Sequence, residues 1–258
     1  MSEIIRLDEV DSTQVVAREL VYRGASHGTC VVSRRQTAGR GRLGREWINP
    51  DEGLFLSMVL RPACLPAEAP RLTLGAAAGV LAALIDLGVP AFVKWPNDVV
   101  VTHSCIHHGK IGPFRKVAGI LVEAVETRDR LEAAVLGIGV NLLAPREGWP
   151  VALSLLAGSL VDVGFRGDGE QVLEAIVHHV PLALEQALSS FNETRSTLER
   201  RSATLGRRVQ IDDGNNVVAG IARRLDASGA LVVVDDRNVE HIVRAGDVWL
   251  DAISSDPS

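Results

Sequence analysis

Residues Gln36–Trp47 read Gln-Thr-Ala-Gly-Arg-Gly-Arg-Leu-Gly-Arg-Glu-Trp and contain the heptad GRGRLGR from Gly39 to Arg45. Each of its glycines would cost a helix interior about 1 kcal/mol. Its three guanidinium groups stay charged, so it is no core strand either. It reads as a loop whose backbone can approach a ligand closely and whose planar cations suit phosphate or carboxylate. Two uses stay open on this stretch alone. One is a lid over an anionic, phosphate-bearing small molecule; the other is a solvated basic loop that touches nucleic acid without specificity.

Four further stretches bear on chemistry. Lys116 enters the run VAGILVEAV from Val117 to Val125, an otherwise apolar strand that a bystander lysine would avoid. Lys94-Trp95-Pro96-Asn97-Asp98 follows a short apolar run. Pro96 cannot continue a ladder, so a strand ends there with polar residues at its tip. Asn97 and Asp98 can place a metal or hold the loop, while Trp95 and Asp98 can equally serve internal structure. Asp11-Ser12-Thr13 is a helix cap signal, and its free backbone N–H groups could also meet an anion. The stretch Thr102–Arg115 holds His103, Cys105, His107 and His108. The H-x-C-x-H-H spacing matches no closed zinc site, so histidines of a surface loop are the plainer reading.

The elements that must position these groups follow from periodicity. Asp11 or Ser12 caps a helix running toward Gly24. Gly28–Ser33 and Leu54–Leu60 are buried strands, with the arginine loop between them. Leu72–Leu87 is a helix rich in small residues, with Gly88 at its C-cap. Ala91–Val93, Val117–Val125 and Leu131–Leu143 are strands. Leu153–Leu160 and Gly169–Arg200 read as helical, with Pro181 kinking or breaking the latter. After Leu205-Gly206 come five short strands separated by turn clusters, which make a small barrel. The fold class is α+β with a mixed sheet, and the domain boundary falls near residue 204.

Composition narrows the field. The chain has 258 residues, 47% hydrophobic and 23% charged, enough for one large domain and one small one. Its net charge of −5 argues against a general nucleic-acid binder and makes the arginine cluster local. The charged N-terminus carries no secretory signal, and no apolar run reaches the roughly 18 residues of a membrane span. Cys30, Cys64 and Cys105 form no paired motif. The expected compartment is a reducing cytoplasm, with no membrane partner.

In chain order, Asp11-Ser12-Thr13-Gln14, GRGRLGR, KWPND, KVAGILVE from Lys116 to Glu123, and GIGVN from Gly137 to Asn141 resemble the biotin protein ligases. The resemblance runs from about residue 5 to residue 250, and the combination of motifs is far more specific than any one alone. It implies a mixed-sheet catalytic domain of the biotin/lipoate ligase type, related to class II aminoacyl-tRNA synthetases, over residues 1–204. It implies a small SH3-like β-barrel over residues 205–258. The implied activity uses ATP and Mg²⁺ to convert biotin to biotinyl-5′-AMP and passes biotin to a lysine of a biotin carboxyl carrier domain. Relatives that double as repressors carry an N-terminal helix-turn-helix domain. Here the motifs begin at Asp11, which implies a monofunctional ligase that binds no DNA, as a monomer or homodimer. A lipoate or octanoate ligase or transferase of the same fold is the alternative, and GRGRLGR with KWPND favours biotin. A non-enzymatic regulatory module is a third reading.

The resemblance also assigns residues. Lys116 and Arg42 are the catalytic pair, with Lys116 meeting both the biotin carboxylate and the phosphate. Ser12, Thr13, Gln14, Gln36, Arg40, Gly41, Arg42 and Lys116 form the biotin set. Gln14 stands where the family usually has asparagine. Arg40, Arg42, Trp47, Lys94, Asn97, Lys116 and Asn141 form the nucleotide set. Trp149 falls where some relatives cover the adenine. No metal ligand is assigned beyond Asp98 as a candidate for Mg²⁺. Arg45 reads as a solvated charge.

Overall fold

The computed structural model describes residues 3–48, 53–102, 114–127, 129–212, 214 and 216–250. The chain opens with strand β1 (Ile4–Val10), helix α1 (Thr13–Tyr22) and strand β2 (Cys30–Gln36). Then come β3 (Gly53–Leu60), α2 (Ala69–Asp86), β4 (Ala91–Lys94) and β5 (Asp98–Thr102). The long strands β6 (Phe114–Thr127) and β7 (Leu131–Asn141) precede α3 (Gly169–Ser189) and α4 (Phe191–Arg200). These strands form one sheet in the order β1-β2-β3-β7-β6-β5-β4. Only β1 and β2 run parallel; every other pair is antiparallel. The sheet is therefore mixed, as expected.

Both faces of the sheet are covered. On one, Ala17 and Val21 of α1 pack on Val31, Val59, Ala133 and Val135. On the other lies the main core, to which α2 contributes Leu72, Val80, Leu81 and Leu84. A strand buried on both faces cannot alternate, and β3 is buried at all of its positions. The small residues of α2 let α3 come close. A side chain on Gly79 would meet Val180 Cα at 2.6 Å. Pro66–Asp86 is long and apolar enough to cross a membrane, but 61% of that window is buried, which marks it as a core helix.

The second sheet follows. Strands β8 (Arg208–Asp212), β9 (Val217–Leu225), β10 (Leu231–Val234), β11 (Glu240–Val243) and β12 (Asp247–Leu250) are ordered β11-β10-β9-β8-β12, all antiparallel. Strand β8 alternates exposed and buried positions, the signature of one solvated face. The two sheets share an apolar core that includes Trp95, Val209, Leu225 and Leu231. Trp95 also donates its backbone N–H to Thr204 Oγ1 and its indole N–H to Gly229 O, both at 3.0 Å.

Four expectations need correction. Strand β1 was not expected, because its burial is interrupted by charged edge positions. Asp98–Thr102 is also a strand, so KWPND is a hairpin turn in which Lys94 pairs with Asp98. Leu153–Leu160 is not helical. Its backbone ties to β6 instead, with Lys116 N–H donating to Leu156 O at 2.7 Å and Gly158 N–H to Lys116 O at 2.9 Å. Finally, Pro181 does not break the helix: α3 runs through it to Ser189, with Val180 and Leu184 buried on either side of the missing N–H.

Candidate functional site

A cleft of about 480 Å³, part of it open to solvent, lies over the sheet between the start of α1 and the arginine loop. Its floor is polar. Thr13 donates its backbone N–H to Gln36 Oε1 at 2.8 Å and its hydroxyl to the same oxygen at 3.1 Å. Ser57 Oγ lies 2.9 Å from Thr13 Oγ1 and 3.0 Å from Gln14 Oε1. The Gln14 amide donates to Val135 O at 3.1 Å, so both ends of that side chain are engaged within the protein. Gly137 makes room for it: a side chain there would meet Gln14 Oε1 at 2.6 Å.

Ser12 is the N-cap of α1 by position, yet its side chain makes no capping bond. The hydroxyl is buried and has no hydrogen-bond partner. Leaving a buried hydroxyl unpaired is unfavourable, and this one lines the cleft. Capping is thus not what the Ser12 side chain does. A ligand bearing neutral donors and acceptors is what such a floor can satisfy.

The other side of the cleft is cationic. Lys116 stands on β6 with its ammonium 2.7 Å from Asp98 Oδ1 and 4.9 Å from the Trp47 ring centroid. Arg42 donates from Nη1 to Asn97 Oδ1 at 2.8 Å, while Asn97 Nδ2 donates to Ile120 O at 3.0 Å. Asn97 thereby joins the loop to β6. Burial lowers the Arg42 guanidinium from its ordinary value, while Asp247 and Asp98 oppose that shift. Burial likewise lowers Lys94, helped by Lys116 and opposed by Asp98. Arg40 and Gly41 also line the cleft.

Trp47 rests on a glycine shelf. A side chain on Gly119 would meet the Trp47 ring at 2.5 Å and Lys116 Nζ at 2.9 Å, and one on Gly139 would meet the ring at 3.0 Å. The Trp47 indole N–H is buried without a partner. Packing and lining are therefore both true of this residue.

The cleft gathers Ser12, Thr13, Gln14, Gln36, Arg40, Gly41, Arg42, Trp47, Asn97 and Lys116. Lys94, Asn141 and Trp149 are not among its lining residues. Asn141 sits behind Lys116, its Nδ2 donating to Gly158 O at 3.0 Å and its Oδ1 buried and unpartnered. Trp149 has a buried, unpartnered indole N–H. Asp98 faces Lys116, and among the described residues no three His, Cys, Asp or Glu side chains group as a metal site. Residues 103–113, with the histidines and cysteine of the zinc question, lie outside the described residues. Arg45 is not merely solvated: it pairs with Asp247 of the second sheet. Ser57, the glycine shelf and Asp247 were missed in the sequence. The signal for Ser57 was a lone hydroxyl inside LFLSMVL; for the shelf it was glycine inside two buried strands.

Residues 7–141 match the model of the biotin/lipoate A/B protein ligase family, and residues 204–251 match that of the biotin protein ligase C terminal domain. The biotin–acetyl-CoA-carboxylase ligase of Mycobacterium tuberculosis is 33% identical, over 94% of this chain and 88% of its own. The bifunctional ligase/repressor BirA of Bacillus spizizenii is 30% identical, over 94% of this chain and 72% of its own. The structure of the biotin protein ligase from Aquifex aeolicus in complex with biotin and ATP superposes with a TM-score of 0.76 at 28% identity, covering 97% of this chain and 99% of that one.

Proposed function

The chain belongs to the biotin/lipoate A/B protein ligase family, and from that premise we propose that it is a biotin protein ligase. It activates biotin with ATP and transfers it to a lysine of a biotin carboxyl carrier domain, such as that of acetyl-CoA carboxylase. The observation that carries this reading is the division of one cleft. A neutral polar floor at Ser12, Thr13 and Gln36 faces a cationic wall at Lys116 and Arg42. Biotin is built the same way, with a neutral ureido ring at one end and a carboxylate at the other. The lipoate alternative lacks a ureido group, and its dithiolane would leave the buried Ser12 hydroxyl unpaired.

In the first step a carboxylate oxygen bonds to the α-phosphorus of ATP. The bond from that phosphorus to the bridging oxygen breaks, and pyrophosphate leaves with the electron pair. Two anions must meet, so cations placed beforehand where they meet lower the barrier. Lys116 is assigned to the carboxylate and α-phosphate, and Arg42 to the phosphate. Ser12, Thr13, Gln36, Arg40 and Gly41 are assigned to biotin, and Trp47 and Asn97 to the nucleotide. Gln14, engaged by Ser57 and Val135, supports the floor, and Lys94 and Asn141 stand outside the lining. Mg²⁺ neutralises the nucleotide phosphates when bound. A single carboxylate such as Asp98 suits an ion carried in on the phosphates rather than a resident one. In the second step the neutral amine of the carrier lysine attacks the acyl carbon, AMP departs with the electron pair, and the amine loses a proton. The mixed anhydride must be kept from water in between, which is work for the arginine loop.

Residues 1–204 form the catalytic unit and the remainder the small C-terminal one in this reading, and the cytoplasm, where ATP and carrier domains meet, is its compartment. The deciding experiment is ATP–pyrophosphate exchange measured with biotin and, separately, with lipoate. Biotin-dependent exchange is expected. Exchange driven by lipoate, or none with biotin, overturns the assignment.

A further inference from the structure

Arg45 is the loop arginine that the cleft does not use. Its guanidinium pairs with the carboxylate of Asp247, the first residue of β12, 202 positions away. The loop is itself a small closed hairpin. Gly41 N–H donates to Arg45 O at 2.7 Å, Arg45 N–H to Arg42 O at 3.1 Å, and Trp47 N–H to Gly39 O at 3.0 Å. A force on Arg45 is therefore felt at Gly41 and Arg42, which do line the cleft.

Asp247 is held at the other end by backbone. It pairs with Asp212 on β8. Gly246 before it has φ 147, a value that L side chains rarely adopt, and a side chain there would meet Asp212 O at 2.7 Å. The sheet that carries Asp247 is fixed to the KWPND turn by the indole N–H of Trp95 on Gly229 O. Two independent ties thus run from the second sheet to the cleft, one to each element that meets at the Arg42–Asn97 hydrogen bond.

We propose that Asp247 is a positioning residue for the reaction: through Arg45 it holds the arginine loop over the cleft, so that the C-terminal sheet governs how long the acyl-adenylate is retained. The adenylate part rests on the function proposed above. The latch itself is a property of the ligand-free chain. The pair is partly exposed, with side chains 57% and 27% accessible, which suits a hold that opens to release product. Exposed pairs of this kind are worth a factor of about two to five in an equilibrium, and salt weakens them.

The test uses the full chain in two arms. In the ligand-free arm, trypsin cleavage after Arg40 and Arg42 is timed. Asp247→Asn is expected to be cut about two to five times faster. About 1 M salt should bring the wild type to the variant's rate and leave the variant unchanged. In the second arm, release of preformed biotinyl-adenylate should accelerate by the same factor. The charge-swapped double variant Arg45→Asp with Asp247→Arg should return both rates toward wild type, which a merely structural defect would not do. Equal cleavage in wild type and Asp247→Asn, or no rescue by the swap, overturns the latch. A wild-type chain that forms no adenylate from biotin overturns the function instead, and the cleavage arm still decides the latch.

Discussion

The Lys116 ammonium lies 2.7 Å from Asp98 Oδ1, so the cation on β6 is held by a carboxylate on the neighbouring strand β5. The partner is one-sided: it aims the lysine while leaving the rest of the ammonium free for a ligand. Lys116→Ala should reduce biotin-dependent pyrophosphate exchange by about a thousandfold, within the range for removing a group that meets developing charge. Asp98→Asn keeps the shape and removes the charge, and should lower kcat by about tenfold with the melting temperature nearly unchanged. Exchange at the wild-type rate in Lys116→Ala refutes the role given to this lysine.

Gly119 should tolerate nothing larger. A methyl there sits 2.5 Å from the Trp47 ring and 2.9 Å from Lys116 Nζ. Gly119→Ala must displace either the ring or the lysine, so activity should fall by about a hundredfold while stability falls by about 1–3 kcal/mol. Gly88→Ala, in open space at the end of α2, is the control for stability alone. A Gly119→Ala enzyme with wild-type kcat and KM for ATP would mean that the shelf is not part of the site.

Much of this site was legible because its residue types are unusual for their setting. Arginine and glycine in GRGRLGR and a lysine entering an apolar strand advertise themselves. Ser57 did not, because one hydroxyl in a buried run looks like a tolerated polar residue until its neighbours Thr13 and Gln14 are known. Asp247 could not be read at all: its significance lies in a partner 202 positions away. The fold shows the same division. Strands with apolar runs were found, whereas β1 was hidden by its charged positions. Leu153–Leu160 misled because apolar spacing alone cannot show that a backbone is spent on the strand beside it.

Lys94 should give the protein a pH signature. Its pKa is lowered from the ordinary value of 10.5, chiefly by burial. Below the lowered value both folded and unfolded chains carry the proton, and burying the charge costs stability. Between the lowered value and 10.5 the unfolded chain binds more protons than the folded one, so stability gains with rising pH. Lys94→Met removes this dependence. The variant should melt above the wild type at neutral pH, and the gap should narrow as pH rises toward 10.5. A gap constant across that range, followed by circular dichroism, contradicts the account.

Ser57 should separate binding from chemistry. Its hydroxyl is buried and has one hydrogen to share between Thr13 Oγ1 and Gln14 Oε1. Thr13 keeps its bond to Gln36 when that hydrogen is lost, but Gln14 Oε1 is left with no donor. An unsatisfied buried acceptor costs about 1–3 kcal/mol, so Ser57→Ala should shift the denaturation midpoint by that much. The floor lies at the neutral end of the cleft, away from the Lys116–Asp98 pair where the carboxylate is activated. Its interactions are therefore the same in ground state and transition state. Loss of such uniform binding raises KM and leaves kcat alone. Steady-state kinetics of Ser57→Ala should show KM for biotin raised about five- to tenfold, with kcat and KM for ATP within about twofold of wild type. A fall in kcat at unchanged KM for biotin would place Ser57 with the reacting atoms instead, and would reverse the polarity assigned to the cleft.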